Sequence, residues 1–216
     1  HGASRVFDAK DHLFREGDQA AHVYKIDAGH VCVYRMMQDG RRQIISFAYP
    51  GDLIGLGATQ EHAACAQAMT RTRVRCVPGA ALEQAARSDA KLGMKLYEAA
   101  SRELHSAREL LFTVSQRTAP ERVAAFLLAL SQRNARCGED PCEFVLPMTR
   151  IDIADFLGLT IETVSRTFTK LRIAGLIDLA QRVLVTIMDA GALADVAQGQ
   201  PIARSHRSAA RPRMVA

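Results

Sequence analysis

Thr160-Ile-Glu-Thr-Val-Ser-Arg166, preceded by Thr149-Arg-Ile-Asp-Ile-Ala-Asp-Phe-Leu-Gly158, is the stretch on which the reading of this chain turns. The earlier segment predicts a short helix with Ile151, Ala154 and Leu157 as its apolar face, closed by Gly158, which supplies the backbone freedom of a tight turn. Thr160 is placed to N-cap a second helix, on which Val164, Phe168 and Leu171 recur at helical spacing and face a core. The helical step of about 100° per residue then gathers Glu162, Ser165, Arg166 and Thr169 on the opposite face, with Ile161 at its flank. Two helices joined by a tight turn, the second presenting polar side chains near its N-terminus, predict a helix-turn-helix.

The residue types on that face suit base edges. Guanine offers O6 and N7 to a bidentate arginine, and cytosine offers its N4 amine to a carboxylate, so Arg166 and Glu162 can read one G·C pair together. Their i, i+4 spacing also lets Glu162 orient the guanidinium. An isolated Glu-to-Arg spacing is usually a solvated surface pair. Here the two-helix context and the neighbouring hydroxyls favour DNA. Ile161 and Ser165 complete the candidate base-contact set. Thr149 and Arg150, at the N-terminus of the first helix, are candidate phosphate contacts, with Thr160, Thr163, Thr169 and Lys170 beside them.

Outward from this motif, Gly175-Leu-Ile-Asp-Leu179 and Val183-Leu-Val-Thr-Ile187, around Ala180-Gln-Arg182, predict a hairpin, the wing of a winged helix. Asp189 to Ala197 predicts a last short helix. Upstream, residues 6–80 alternate short apolar runs with turn signals such as Glu16-Gly-Asp18, Asp27-Ala-Gly29 and Pro50-Gly-Asp52, the pattern of an antiparallel barrel or jelly roll. From Leu82 to Gln116 the period is helical. Tyr97, Ala100, Leu104, Ala107, Leu111 and Val114 repeat at steps of three and four, an a/d seam that predicts a homodimer. Leu96 and Leu110 lie on a different side and could face the strands. Pro120 marks a helix boundary. The α+β chain is therefore expected to comprise a β jelly-roll barrel (1–81), a dimerisation helix (82–118), a winged helix-turn-helix (119–199) and a basic, core-less tail (200–216).

Composition sets looser bounds. At 216 residues two domains are the natural expectation. The net charge of +5 suggests a polyanionic partner, but Arg204, Arg207, Arg211 and Arg213 in the acid-free tail account for four of those charges. The recognition motif, not overall charge, carries the argument for DNA. No apolar run reaches the roughly twenty residues of a membrane span, and no charged-then-apolar leader precedes the first strand, so a cytoplasmic protein without membrane contact is expected. The chain opens on His1-Gly-Ala-Ser rather than methionine, so further residues can precede it. Five cysteines, at 32, 65, 76, 137 and 142, form no disulfide framework and suit a reducing compartment. Cys137 and Cys142 lack the second ligand pair of a structural zinc site.

Glu162-Thr-Val-Ser-Arg166 resembles the E-x-x-S-R recognition motif of the CRP/FNR superfamily of bacterial transcription regulators, and Thr167-Phe-Thr-Lys-Leu-Arg-Ile-Ala-Gly-Leu-Ile177 continues the likeness. Val23-Tyr-Lys-Ile-Asp-Ala-Gly-His-Val31, Pro50-Gly-Asp-Leu-Ile-Gly55, Ala119-Pro-Glu-Arg-Val-Ala-Ala-Phe126 and Leu146-Pro-Met-Thr-Arg150 extend it over nearly the whole chain, closest to the FixK-like branch. The resemblance implies a cyclic-nucleotide-binding type of barrel and a homodimeric activator on a palindrome like TTGAT, four bases, ATCAA. It also implies a setting in oxygen limitation or nitrogen fixation, and contact between RNA polymerase and the loop near Leu56-Gly-Ala-Thr59.

The same resemblance frames what the barrel could sense. Nucleotide-binding members hold the ribose with a Gly-Glu pair and the cyclic phosphate with Arg-Ser in a Glu-Arg-Ser-Ala cassette. Here Gln60-Glu-His-Ala-Ala-Cys65 puts His62 and Ala63 at the phosphate positions, and Asp52 replaces the Glu. A charged fork and a hydroxyl have become an imidazole and a methyl, so cyclic-nucleotide binding is not expected. Iron-sulfur members need four thiolates. The internal position is Arg75, with Cys76 one residue away and hence on the other face of a strand. No cofactor is expected. Haem at His12, His22, His30, His62 or His105, an effector-dependent or redox-sensing regulator, and a cupin-like metal enzyme are the weaker readings. A cupin would need His-x-His, which His22 and His30 do not supply.

Overall fold

The computed structural model describes residues 2–57, 60–181 and 183–203. The arginine-rich tail from Arg204, Arg182 of the expected wing turn, and Ala58 and Thr59 of the loop expected to meet RNA polymerase lie outside the described residues. The chain divides between Leu111 and Phe112 into two compact units, each with its own core.

The first unit holds eight strands: β1 (Ala3–Phe7), β2 (His12–Phe14), β3 (His22–Ala28), β4 (Val31–Met36), β5 (Arg42–Ala48), β6 (Leu53–Ile54), β7 (Cys65–Ala68) and β8 (Thr72–Pro78). They form two antiparallel four-stranded sheets, ordered β1-β8-β3-β6 and β2-β7-β4-β5. This is the expected jelly roll, as two sheets rather than a closed barrel ring among the described residues. Phe14, Tyr24, Ile26, Val31 and Val74 belong to its core. Strand β8 shows why the sheets bury one face: Thr72, Val74 and Cys76 point inward while Arg73 and Arg75 point out. Gly29, between β3 and β4, has φ +86°, and a Cβ there would lie 2.5 Å from the Arg71 carbonyl, so only glycine fits.

The helical stretch expected from Leu82 is two helices, α1 (Gly79–Ser88) and α2 (Ala90–Gln116). Asp89 separates them in an extended conformation, and its Oδ1 accepts from the Lys91 and Leu92 amides, so a side chain with a strong capping preference restarts the helix. Along α2 Tyr97, Ala100, Leu104, Ala107 and Leu111 are exposed in the single chain, with Leu111 67% accessible and Val114 half-buried. Leu96 and Leu110 are both half-buried.

The second unit contains α3 (Ala119–Cys137), β9 (Glu143–Val145), α4 (Arg150–Leu157), α5 (Ile161–Ile173), β10 (Ile177–Ala180), β11 (Leu184–Ile187) and α6 (Ala190–Ala197). Pro120 sits in the first turn of α3, behind a capping box in which Thr118 and Glu121 satisfy each other's backbone amides. Helix α3 packs on α6, α5 and β9. The strands form one antiparallel sheet ordered β10-β11-β9, giving the wing its predicted hairpin. Cys137, the last residue of α3, and Cys142, in the loop before β9, are exposed, whereas Cys32, Cys65 and Cys76 are buried free thiols.

Candidate nucleic-acid interface

Helix α4 begins at Thr149, whose Oγ accepts from the Asp152 amide while Asp152 accepts from the Thr149 amide at 2.9 Å. The Thr149 hydroxyl also donates to Asp152, at 2.7 Å. Both of its donors are thus committed to the cap. The helix closes at Gly158, in the left-handed region at φ +63°. Its apolar face differs from the expected one: Ile153 is fully buried with Ala154 and Leu157, and Ile151 is 54% exposed. Both isoleucines lie within reach of a helical stripe through Ala154 and Leu157, and the rotation of this two-turn helix, set by packing on α5, selects Ile153.

Helix α5 starts at Thr160, whose Oγ accepts from the Thr163 amide at 3.2 Å. Val164, Phe168 and Leu171 are buried, as is Thr167, whose hydroxyl donates to the Thr163 carbonyl at 2.8 Å. Ile161, Glu162, Ser165, Arg166, Thr169 and Lys170 are exposed together, and Thr163 is half-buried. The Thr169 hydroxyl donates to the Ser165 carbonyl. The outward face therefore matches the sequence assignment.

The pairing of Glu162 with Arg166 is looser than the spacing suggested. The Glu162 carboxylate turns back toward the helix N-terminus, where its own backbone N–H and then the Thr160 hydroxyl hold it below the usual carboxylate range. The charge of Arg166 adds less than either. This is the favourable end of the helix dipole for an anion. Arg166 consequently points to solvent without being clamped.

Arg150 is better anchored. Its guanidinium lies over the Phe168 ring, with Cζ 3.7 Å from the centroid, and burial pushes its pKa down. The contact joins the first residue of α4 to the core side of α5. Sequence reasoning did not find it, since it treated Arg150 only as a phosphate contact and Phe168 only as core.

In the first unit, the segment that would hold a cyclic phosphate is filled differently. His62 is buried and stacked on Phe14 with 3.6 Å between ring centroids, and burial lowers its pKa against a smaller opposing effect of Asp18. The adjoining hollow is lined by Glu16, Gly17, Arg35, Gln60, Glu61, His62 and Ala63. Arg35, its one arginine, is paired with Glu16 at 2.8 Å. A neutral imidazole, a methyl and two carboxylates do not fit a cyclic phosphodiester. Cys76 faces the core, where burial pushes its thiol pKa up, and Arg75 faces out to Asp27 at 3.3 Å. Thus the one cysteine near the cluster position is held as a thiol. Of the other histidines, His12 is bonded to the Tyr34 hydroxyl at 2.8 Å.

Comparison with known proteins agrees with both units. Residues 4–89 match the model of the cyclic nucleotide-binding domain, and residues 121–196 that of the Crp-like helix-turn-helix domain. The chain is 39% identical over 193 residues to the nitrogen fixation regulation protein FixK of Azorhizobium caulinodans, covering 89% of this chain and 78% of that protein. It is 37% identical over 186 residues to the anaerobic regulatory protein of Haemophilus influenzae, covering 85% and 72%. The structure of FixK2 from Bradyrhizobium japonicum superposes with a TM-score of 0.84 at 34% identity, over 91% of this chain and 97% of that one. A CRP-family regulator of Thermus thermophilus, at 23% identity and TM-score 0.72 over 93% and 98%, shares the fold. No helix among the described residues is long and apolar enough to cross a membrane. The chain belongs to the CRP/FNR family of transcription regulators, in its FixK-like branch, and is not an enzyme.

Proposed function

We propose that this regulator is a homodimeric activator that binds a TTGAT-N4-ATCAA palindrome without a bound effector and recruits RNA polymerase, in the control of nitrogen fixation or of the response to low oxygen. The observation that carries the reading is the exposed N-terminal face of α5, where Ile161, Glu162, Ser165 and Arg166 stand outward on a helix whose other side is core. Arg166 reads guanine and Glu162 accepts from the paired cytosine. Ile161 meets a thymine methyl and Ser165 a thymine edge. Around them Arg150 and Lys170 supply charge to phosphates, Thr149, Thr160 and Thr163 lie at the helix N-termini that approach the backbone, and Thr169 approaches it from the exposed face of α5 beside Lys170.

Two such helices related by a two-fold axis enter successive major grooves about one helical turn apart. The exposed seam of α2, Tyr97, Ala100, Leu104, Ala107 and Leu111 with Val114, is the surface that joins the protomers. Leu104→Glu places like charges across that axis and should shift sedimentation from dimer to monomer. A tight dimer in this variant would move the interface elsewhere.

Names of the relatives support the physiological setting: FixK proteins are described as nitrogen fixation regulators, and other relatives as anaerobic regulatory proteins. The ill-fitting phosphate position supports effector-free binding. Selection of bound sites from random DNA, with no small molecule added, tests the whole reading. The wild type should yield TTGAT half-sites. Ile161→Arg with Ser165→Gly, the residues of cyclic-AMP-dependent relatives, should shift the yield toward TGTGA while keeping the shared G·C pair. An unchanged TTGAT preference in the double variant would place α5 in the groove in a different rotation.

A further inference from the structure

Arg122, on the first turns of α3, is absent from the base-reading face, yet its guanidinium spans the helix-turn-helix. Its Nε donates to the Arg117 carbonyl at 2.8 Å, just beyond the end of α2. Its Nη1 donates to the Leu157 carbonyl at 2.9 Å and lies 3.4 Å from that of Gly158. Leu157 is the last residue of α4, and Gly158 is its left-handed cap. The final carbonyls of a helix have no partner within it, and the C-terminus carries the negative end of the dipole. A cation that donates there meets both needs at once.

The geometry points to Arg122 as the positioning residue of the DNA-reading helix: it fixes the turn between α4 and α5 against α3 and against the residue that enters α3. Only Leu159 and Thr160 separate Gly158 from Ile161, where α5 begins, and Thr160 caps it. Whatever holds that turn therefore sets the direction in which Ile161, Glu162 and Arg166 leave the protein. An arginine suits the task because its planar fork reaches separated carbonyls in fixed directions, which the single ammonium of lysine cannot do. This assignment rests on the DNA-reading face proposed above and gives that face a mechanical support.

The test measures affinity of the full chain for a duplex bearing TTGAT-N4-ATCAA and for a scrambled duplex, across a range of salt, using Arg122→Gln, Arg122→Lys and Arg166→Ala. Arg122→Gln should stay folded by circular dichroism, lose about tenfold in affinity for the palindrome, and change little on scrambled DNA. Its salt dependence should match the wild type, because Arg122 touches no phosphate. Arg122→Lys should recover part of the loss, and amide exchange at Leu159, which donates to the Ala154 carbonyl, should quicken in Arg122→Gln. If Arg122→Gln does not fold, Arg122→Lys alone decides by the same criteria.

Full discrimination by a folded Arg122 variant, with Arg166→Ala impaired in the same assay, would overturn the inference and leave the DNA reading intact. A salt slope reduced by about one would instead make Arg122 a phosphate contact. Equal losses on both duplexes, in step with the unfolded fraction, would make it merely structural. A wild type without preference for the palindrome would remove the DNA reading, and this inference with it.

Discussion

The two units use their polar side chains in opposite ways. In the sheets, groups that could have gripped a ligand are turned on each other: Arg35 pairs with Glu16, Arg75 with Asp27, His12 with Tyr34, and His62 lies flat on Phe14. In α5, Ser165 and Arg166 are left facing solvent, on a helix whose capping and core contacts are complete. A face kept outward in one unit and a pocket turned inward in the other fit the proposed assignment of recognition to α5. The jelly roll can stand as a scaffold without a phosphate grip, because its core of Ile26, Val31 and Val74 does not depend on the groups that a ligand would touch.

The strongest test of this division is Phe168→Ala. Phe168 is the largest side chain among those fully buried, and it carries the Arg150 guanidinium. Its loss should cost about 3–5 kcal/mol, enough to unfold much of the helical unit. Hydrogen exchange would show α3, α4 and α5 losing protection while β3, β4 and β8 keep theirs. Loss of protection in both units together would mean that they fold as one, and the contrast drawn above would be one of side chains alone.

Arg166→Ala comes next, at about 1–3 kcal/mol per half-site, with relaxed choice at the G·C pair. Glu162→Ala should relax the same position. Because the carboxylate of Glu162 is held by the helix N-terminus rather than by Arg166, the free protein should lose stability in Glu162→Ala and not in Arg166→Ala. Melting curves beside binding isotherms separate the two. Equal destabilisation by both would restore the direct pairing that their spacing suggested.

The contrast between units also explains how much could be read from sequence. The helix-turn-helix was legible because its determinants are local: Thr160 before Ile161, Gly158 at the turn, and Val164, Phe168 and Leu171 one turn apart. The choice of Ile153 over Ile151 was not, since two helical turns leave the rotation to tertiary packing. Arg122 was invisible for the same reason. Its partners, Leu157 and Gly158, are 35 and 36 residues away, and an arginine that donates to carbonyls leaves no motif. In the sheets, turn signals located the strands but not the pairing of β1 with β8 or β2 with β7. The break at Asp89 was equally hidden, because helical spacing runs on both sides of it, although its side chain caps α2.

Thr160→Ala removes the cap of α5 and should cost about 1 kcal/mol, read as a lower melting temperature for the helical unit. It should also weaken binding, because the hydroxyl helps to hold Glu162 in place. A change in stability with binding to TTGAT untouched would show that the position of Glu162 is set by DNA, not beforehand.

The smallest expected effect is acid sensitivity confined to the sheets. Burial lowers the pKa of His62 below 6.5, and that of His12 falls for the same leading reason, with Arg15 adding to it and Asp11 and Asp18 opposing. A histidine kept neutral by the fold binds fewer protons folded than unfolded. Its contribution to stability is therefore complete above the unfolded value of 6.5 and is lost as pH falls through the lower folded value. Between pH 7 and pH 5, exchange of β2 and β3 amides, corrected for intrinsic rates, should quicken while that of α5 core amides holds steady. His62→Phe, which keeps a ring against Phe14 but cannot be protonated, should flatten the response. If α5 loosens equally, or His62→Phe responds as the wild type does, the stacked imidazole is not what makes the sheets sensitive to acid.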